Sequence, residues 1–290
     1  MLAATGKAKR GEGSAWMRRR AFRIWKFHIG TLLFLSLAAY LFFPRLRGFF
    51  TGLYEHPVGG SLLAGILAYT PEWLDVLPLY VFLLILGAFA FPAIIRGHIG
   101  RVWGFSLAVW IFAQFSLRSF ALGPFPHWMH PGFFDFFAWQ FLYFSGAAIG
   151  HLWKEGKIPL SEKFQNRIFS VSAVLCAFCF LWSHRLVPIS PPGDFWISKE
   201  HVGALRFLNF IAFVGVISQI IRRKPGTIDF SPCRTIGRHS LEVFTAQTVC
   251  VYLWMAVPAK FQYHVPFNIA APLLCCALLF AIAKTLERNR

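Results

Sequence analysis

Between Asp75 and Arg96 runs "VLPLYVFLLILGAFAFPAII", twenty residues without a charge. At about 1.5 Å rise per residue a helix of that length spans roughly 30 Å, the hydrocarbon thickness of a bilayer. Seven more apolar runs follow the same logic: Phe27 to Phe43, Val102 to Leu117, Phe136 to Leu152, Ile168 to Ser183, Leu205 to Ile221, Glu242 to Val257 and Val265 to Ala283. The pattern predicts an all-α, polytopic transmembrane helix bundle of about eight helices. Several runs are near the short limit, so snorkelling Arg, Lys and Trp side chains are expected at their ends. "GGSLLAGILAY" (Gly59 to Tyr69) is apolar but too short to cross and reads as interfacial or re-entrant. Hydrophobic residues make up 57% of the chain and charged residues 14%, too few polar side chains to coat a soluble core of this size.

The 29 Lys+Arg exceed the 12 Asp+Glu by enough to give a net charge of +17. On a soluble domain that excess would suggest nucleic acid, but no basic face of a folded domain is visible and no nucleic-acid partner is expected. The basic residues sit in the gaps between apolar runs. Numbering the gaps alternately puts 22 of the 29 on one side: the N-terminal segment, Arg96/Arg101, Lys154 to Arg167, Arg222 to Arg238 and the C-terminal tail. This bias predicts both termini in the cytoplasm and contact with anionic headgroups. "WMRRRAFRIWKFHIG" is basic, yet the apolar run behind it lacks a small-residue cleavage site, so it is not a secretory signal. Five of the six cysteines fall inside spans and Cys233 in a cytoplasmic gap, which gives no disulfide framework. Cys176-x-x-Cys179 lies on a membrane helix and reads as packing. Residues 1–17 read as a disordered or mispredicted start, and 18–290 as one domain.

Polar residues inside or at the rims of the spans are the informative ones, because each needs a partner or a water-filled cavity. On the outer side stand Asp75 and Tyr80, then Asp135, Trp139 and Gln140, then Lys199, Arg206 and Asn209. The pairs Asp135/Trp139 and Arg206/Asn209 have helical spacing, so each shares a helix face. Two uses compete for this group: an acceptor pocket carrying both signs of charge, or neutralisation of Arg206 by Asp75 or Asp135 to hold the bundle together. Trp73, Trp128 and Trp196 read as interfacial belt aromatics. On the inner side, "CRTIGRHSLEVFTAQ" offers Gly237 for a turn, Ser240 as a helix cap, and Glu242 in the first turn, where the helix dipole favours an anion. Arg238 and His239 are not needed for capping and are candidates for a phosphate or carboxylate contact. Arg20 and Arg23, with Lys26 and His28, form a second inner cluster whose default reading is a positive-inside anchor. No His/Cys/Glu set at metal spacing, no Walker or dinucleotide glycine motif and no G-x-S-x-G is present, which excludes chemistry from those modules.

"WLDVLPLYVFLL", "FFDFFAWQFLYFSGAAIG", "KEHVGALRFLNFIAF" and "IGRHSLEVF", in this order and separated by spans, resemble the OpgC family within the acyltransferase family 3 of membrane O-acyltransferases. The likeness runs from about Arg18 to Phe244. It implies a multi-pass enzyme of the bacterial inner membrane that moves an acyl group, typically succinyl, from a cytoplasmic acyl-CoA (succinyl-CoA) co-substrate to hydroxyls of periplasmic glucan, with no bound cofactor. Arg20 and Arg23 match the family's R-x-x-R pair linked to the acyl-CoA donor. Asp75, Tyr80, Trp139, Gln140, Lys199, Arg206, Arg238, His239 and Ser240 occupy family-motif positions.

The chain departs from the family at its start, where members carry about two further helices and a histidine thought to act as general base. His28 does not stand in, since the topology puts it at the cytoplasmic rim beside Arg23. Of the outer-rim histidines His127, His130, His184, His201 and His264, each reads more simply as an exposed loop or interface residue, so the expectation is a chain that inserts but does not transfer acyl groups alone. The alternatives are a non-catalytic membrane subunit and a glycan or lipid transporter, although the repeated halves common in transporters are not visible. Oligomeric state is not assigned. A reporter fused after Arg290, or within residues 154–163, is expected to read cytoplasmic, and one within residues 188–199 periplasmic; reporter activity in cells checks this, and inversion overturns both sides together.

Overall fold

The computed structural model describes residues 12–115, 117–124, 128–129, 131–156, 161–190, 193–224 and 230–289. Among them, every regular element is a helix. The first, α1 (Gly13–Leu41), starts fourteen residues ahead of the expected span and takes in residues 13–17 of the expected N-terminal segment; residues 1–11 lie outside the described residues. The extension carries the basic run, and its 29 residues reach about 44 Å, long enough to leave the hydrocarbon at one end. Met17, Ala21, Ile24, His28, Leu32, Leu35 and Ala39 form its buried face at three- and four-residue spacing.

Short helices follow: a 3₁₀ turn (Pro44–Phe50), α2 (Thr51–Glu55) and α3 (Pro57–Gly65). Proline opens the first and third, where a missing N–H costs nothing. Then come α4 (Val76–Ile95), α5 (Ile99–Ala113), α6 (Leu117–Leu122), α7 (Phe136–Lys154), α8 (Glu162–Ser183), α9 (Asp194–Ile197) and α10 (Ala204–Arg223). The chain closes with α11 (Ser231–Arg238), α12 (Ser240–Ala256), α13 (Ala259–Gln262) and α14 (Val265–Arg288). Each of the eight expected spans coincides with a helix. Five of them, α1, α4, α8, α10 and α14, are long and apolar enough to cross a membrane. The shorter α5 and α12, of 15 and 17 residues, rise only about 23 and 26 Å.

The chain forms two compact units, residues 1–19, 82–124 and 134–228 in the first, and 20–81, 125–133 and 229–290 in the second. In the first, α5 packs along α7 and α8 along α10. Small residues permit the close approach: a Cβ on Gly215 would sit 2.7 Å from Ser172 Oγ. Gln140, buried at the α5–α7 seam, accepts from Ser106 Oγ (2.5 Å) and donates to Ser106 O (2.8 Å) and Phe137 O (3.0 Å), so its amide is satisfied by α5 and by its own helix.

In the second unit, the segment read as interfacial or re-entrant supplies core. Ala64 and Tyr69 join Leu32, Leu35, Leu46, Phe50, Leu74 and Tyr252 in one buried cluster, and the Tyr252 hydroxyl donates to Glu72 O. Helices α2 and α3 meet at Gly52 and Gly60, where a Cβ on Gly60 would lie 2.3 Å from the Gly52 carbonyl oxygen. Gly60→Ala is therefore expected to destabilise the unit by about 1–3 kcal/mol, while Gly65→Ala on the same helix, with no atom within 4 Å, is neutral. Thermal melts of the two variants in detergent check the contrast.

Candidate functional site

In the first unit the N-terminus of α7 is built around Asp135. The residue is fully buried, and its Oδ1 caps the helix by accepting from Phe137 N–H (2.9 Å). Its Oδ2 lies 3.0 Å from His201 Nδ1. An ionised carboxylate only accepts, so the Nδ1 that faces it is the donor of this bond. The His201 side chain is 33% exposed. Nε2 stands 3.8 Å from Glu200 Oε1, beyond hydrogen-bond reach, and that carboxylate is paired with Arg118 (2.7 Å).

The loop bearing His201 is held on every side within this unit. Glu200 O accepts from Asp135 N–H (3.1 Å) and Trp139 Nε1 (3.1 Å); His201 O accepts from Gln114 Nε2 (2.8 Å); Val202 O accepts from Trp110 Nε1 (3.1 Å). Val202 takes φ 48°, a left-handed conformation unusual for a β-branched residue, and it is kept there by burial against Trp110, Phe137 and Trp139. Lys199 places its ammonium 5.6 Å from the Phe134 ring centroid. Arg206 is not neutralised by Asp135, contrary to one expectation. Both Asp135 oxygens are taken, and Arg206 Nε donates to Ile197 O (2.9 Å) at the end of the preceding short helix α9. Asn209, one turn on, is exposed.

In the second unit Asp75 is buried and accepts from Phe133 N–H (2.9 Å), while Tyr80, one helical turn further along α4, is about half exposed. Gly132, at φ 95°, makes this approach feasible, since a Cβ there would fall 2.5 Å from Asp75 Cβ. Arg23 pairs with Glu242 (2.5 Å), tying α1 to α12, and Arg20 lies one turn earlier on α1. Beside this tie, Lys26, Phe27, Gly30, Thr31, Phe34, Thr245 and Val249 line a groove of about 430 Å³. Its threonine hydroxyls donate to carbonyls of their own helices, Thr31 to Phe27 O and Thr245 to Leu241 O, so the walls are apolar in effect. Arg238 pairs with Glu287 (2.7 Å), which also accepts from Thr235 (3.1 Å). Ser240, expected to cap the helix, is its first residue instead: the cap position is His239, buried and without a capping side-chain bond. Gly237 lies inside α11, so the break between the helices falls on His239.

The profile of the family described as OpgC protein matches residues 2–290. The chain belongs to the OpgC family. No curated protein and no solved structure matches it at a significant level. Of the residues quoted for the OpgC resemblance, the structure brings Asp135, Trp139 and Lys199 together at one loop and packs Gln140 into a helix seam. His201 was named in sequence among five outer-rim histidines and read as a loop or interface residue, because its partner is 66 residues away. His127 and His130 lie outside the described residues.

His28 lies on α1, five residues after Arg23. It is fully buried, on the inward face of α1, and neither ring nitrogen has a hydrogen-bond partner among the described residues. A buried polar group without a partner carries its whole desolvation penalty. His28→Leu, which removes both unpaired atoms at similar volume, is expected to stabilise the OpgC chain by about 1–3 kcal/mol in a detergent melt; a lowered melting temperature would show that the ring has a partner in the folded protein.

Proposed function

We propose that the chain is a membrane O-acyltransferase that moves an acyl group, succinyl in the family's usual case, from a cytoplasmic acyl-CoA to hydroxyls of a periplasmic glucan in the bacterial inner membrane. The observation that carries this reading is OpgC-family membership over residues 2–290 in a helical chain with five helices of membrane-crossing length. Eight spans with both termini in the cytoplasm, as the basic residues suggest, would put Arg20 and Arg23 on the donor side and residues 198–203 on the acceptor side.

The donor end has suitable chemistry in one place. Arg20 and Arg23, both exposed, offer guanidinium forks to phosphates, and the adjoining apolar groove suits an acyl-pantetheine arm. Arg23 already holds Glu242, so a phosphate there would compete with that carboxylate. Asp75, Tyr80, Lys199, Arg206 and Trp139 remain candidates for the acceptor, and Arg238, His239 and Ser240 for a second donor contact.

The test is transfer of labelled succinyl from succinyl-CoA to glucan by the chain in lipid nanodiscs, alone or with the upstream helices of a complete family member supplied. Labelled glucan in either case is the expected result. Arg20→Lys with Arg23→Lys is expected to weaken donor binding while insertion is unchanged, because charge is kept and bidentate geometry is lost. No transfer under either condition by a chain verified as inserted overturns the reading, and solute movement without transfer would replace it with a transporter.

A further inference from the structure

We propose that the end of the first unit where α7, α8 and α10 come together binds an anionic phospholipid, with Arg222 and Arg223 on its phosphate and the exposed apolar faces of α7 and α10 against its acyl chains. The proposal goes beyond the acyltransferase reading and does not depend on it.

Two arginines close α10, and each is set by a ring on a different helix. The Arg222 guanidinium carbon lies 4.4 Å from the ring centroid of Trp153, in the last turn of α7, and that of Arg223 lies 4.5 Å from the ring centroid of Phe169, on α8. Arg223 also donates from Nη2 to Asn166 Oδ1 (2.6 Å). Stacking takes up the face of a guanidinium and leaves its N–H edge for an anion, and it restricts the side chain before the anion arrives.

The surroundings favour negative charge. Lys154 follows Trp153, Arg167 follows Asn166, Lys163 precedes Asn166 by three residues, and Lys224 follows Arg223. These four and the two arginines are exposed, and none of the six is ion-paired among the described residues. Arginines elsewhere contrast with them: Arg23 holds Glu242 (2.5 Å), Arg238 holds Glu287 (2.7 Å) and Arg118 holds Glu200 (2.7 Å). The carboxylates in the same stretches are Glu155, 3.0 Å from His151 Nε2 on its own helix, and Glu162, in the first turn of α8 where the helix dipole favours an anion. Six positive groups against two negative ones leave a net attraction for a phosphate.

A soluble phosphate would need only the cations, but the surface that continues from them is apolar and uncovered. Ile149 and Gly146 stand one and two turns back from Trp153, and Val214 and Ile211 two and three turns back from Arg222; all four are exposed. A Cβ on Gly146 would meet no atom within 4 Å. Farther along, the same two helices meet through Phe141 and Phe207, whose ring centroids are 4.8 Å apart. Cations above an open apolar face suit a headgroup with its acyl chains, and basic clusters between membrane helices on the cytoplasmic side are where anionic headgroups bind. The count of basic residues assigns this end to that side.

The experiment titrates the full chain, in nanodiscs of phosphatidylcholine, with phosphatidylglycerol carrying brominated acyl chains, and reads quenching of tryptophan fluorescence against brominated phosphatidylcholine. The expected result is extra quenching by the anionic lipid that saturates at low mole fraction and is largely lost in Trp153→Phe. Arg222→Gln and Arg223→Gln are each expected to weaken the preference about five-fold. Removing the same charge from another gap, with Arg96→Gln and Arg101→Gln together, leaves it unchanged. Equal quenching by the two lipids in the wild-type chain overturns the proposal, and that comparison needs no variant to fold. An equal loss in the Arg96/Arg101 variant also overturns it, because diffuse surface charge would then account for the preference. Displacement of the lipid by succinyl-CoA overturns it as well and gives these cations to the acyl donor.

Discussion

The burial of Asp135 constrains more of the first unit than any other contact. A carboxylate with no exposed surface in so apolar a chain has to have its lone pairs met by protein, and the penalty for failing is several kcal/mol. One oxygen is met by the N-terminus of α7 and the other by His201. The first bond fixes where α7 begins. The second draws in the loop before α10, and with it come the backbone bonds from Asp135, Trp139, Gln114 and Trp110 that hold residues 200–202. Helix start, loop path and imidazole orientation thus follow from one buried charge. A neutral, apolar residue at 135 would leave the loop free and the histidine unoriented.

The second unit solves the same problem differently. Its buried hydroxyl and carboxylate, Tyr252 and Asp75, are met by main-chain groups of Glu72 and Phe133, both in short irregular stretches rather than long helices. Short helices that open on proline and meet through glycine supply these groups and fill the core beside α1. At one edge of this unit the Arg23–Glu242 tie and the apolar groove lie side by side on α1 and α12, a charged and an oily surface on the same helix pair. The proposed donor contact rests on that pairing, with charge for phosphates and an apolar wall for an acyl-pantetheine arm. His28, on the inward face of the same α1, is the one buried side chain whose polar atoms find no partner among the described residues.

The helices were legible because uncharged runs of this length have few other folds open to them, and each expected span does contain a helix. The start of α1 was not. Its first turns hold the basic run, which reads as a gap when charge is the criterion, yet Met17, Ala21 and Ile24 continue the buried stripe back through it at helical spacing. The cap before α12 was missed by one residue, since Gly237 and Ser240 are the sequence signals for a break and the chain breaks at His239 between them. At the site, Asp135 was visible as a charge at the mouth of a span and Trp139 as its helical neighbour. His201 was named only as one of five outer-rim histidines, because nothing in the sequence ties it to Asp135, the carboxylate behind it, which comes from another part of the chain. The same limit explains Arg206: its sign suggested a carboxylate partner, while geometry gave it the Ile197 carbonyl.

Acyl transfer across a membrane requires donor and acceptor to be served from opposite sides by one chain. That is most directly measured in sealed inside-out vesicles bearing the full chain, with glucan trapped in the lumen and labelled succinyl-CoA added outside. The expected result is labelled succinyl ester on the lumenal glucan. Label that appears only when glucan and succinyl-CoA share one compartment would contradict the two-sided arrangement.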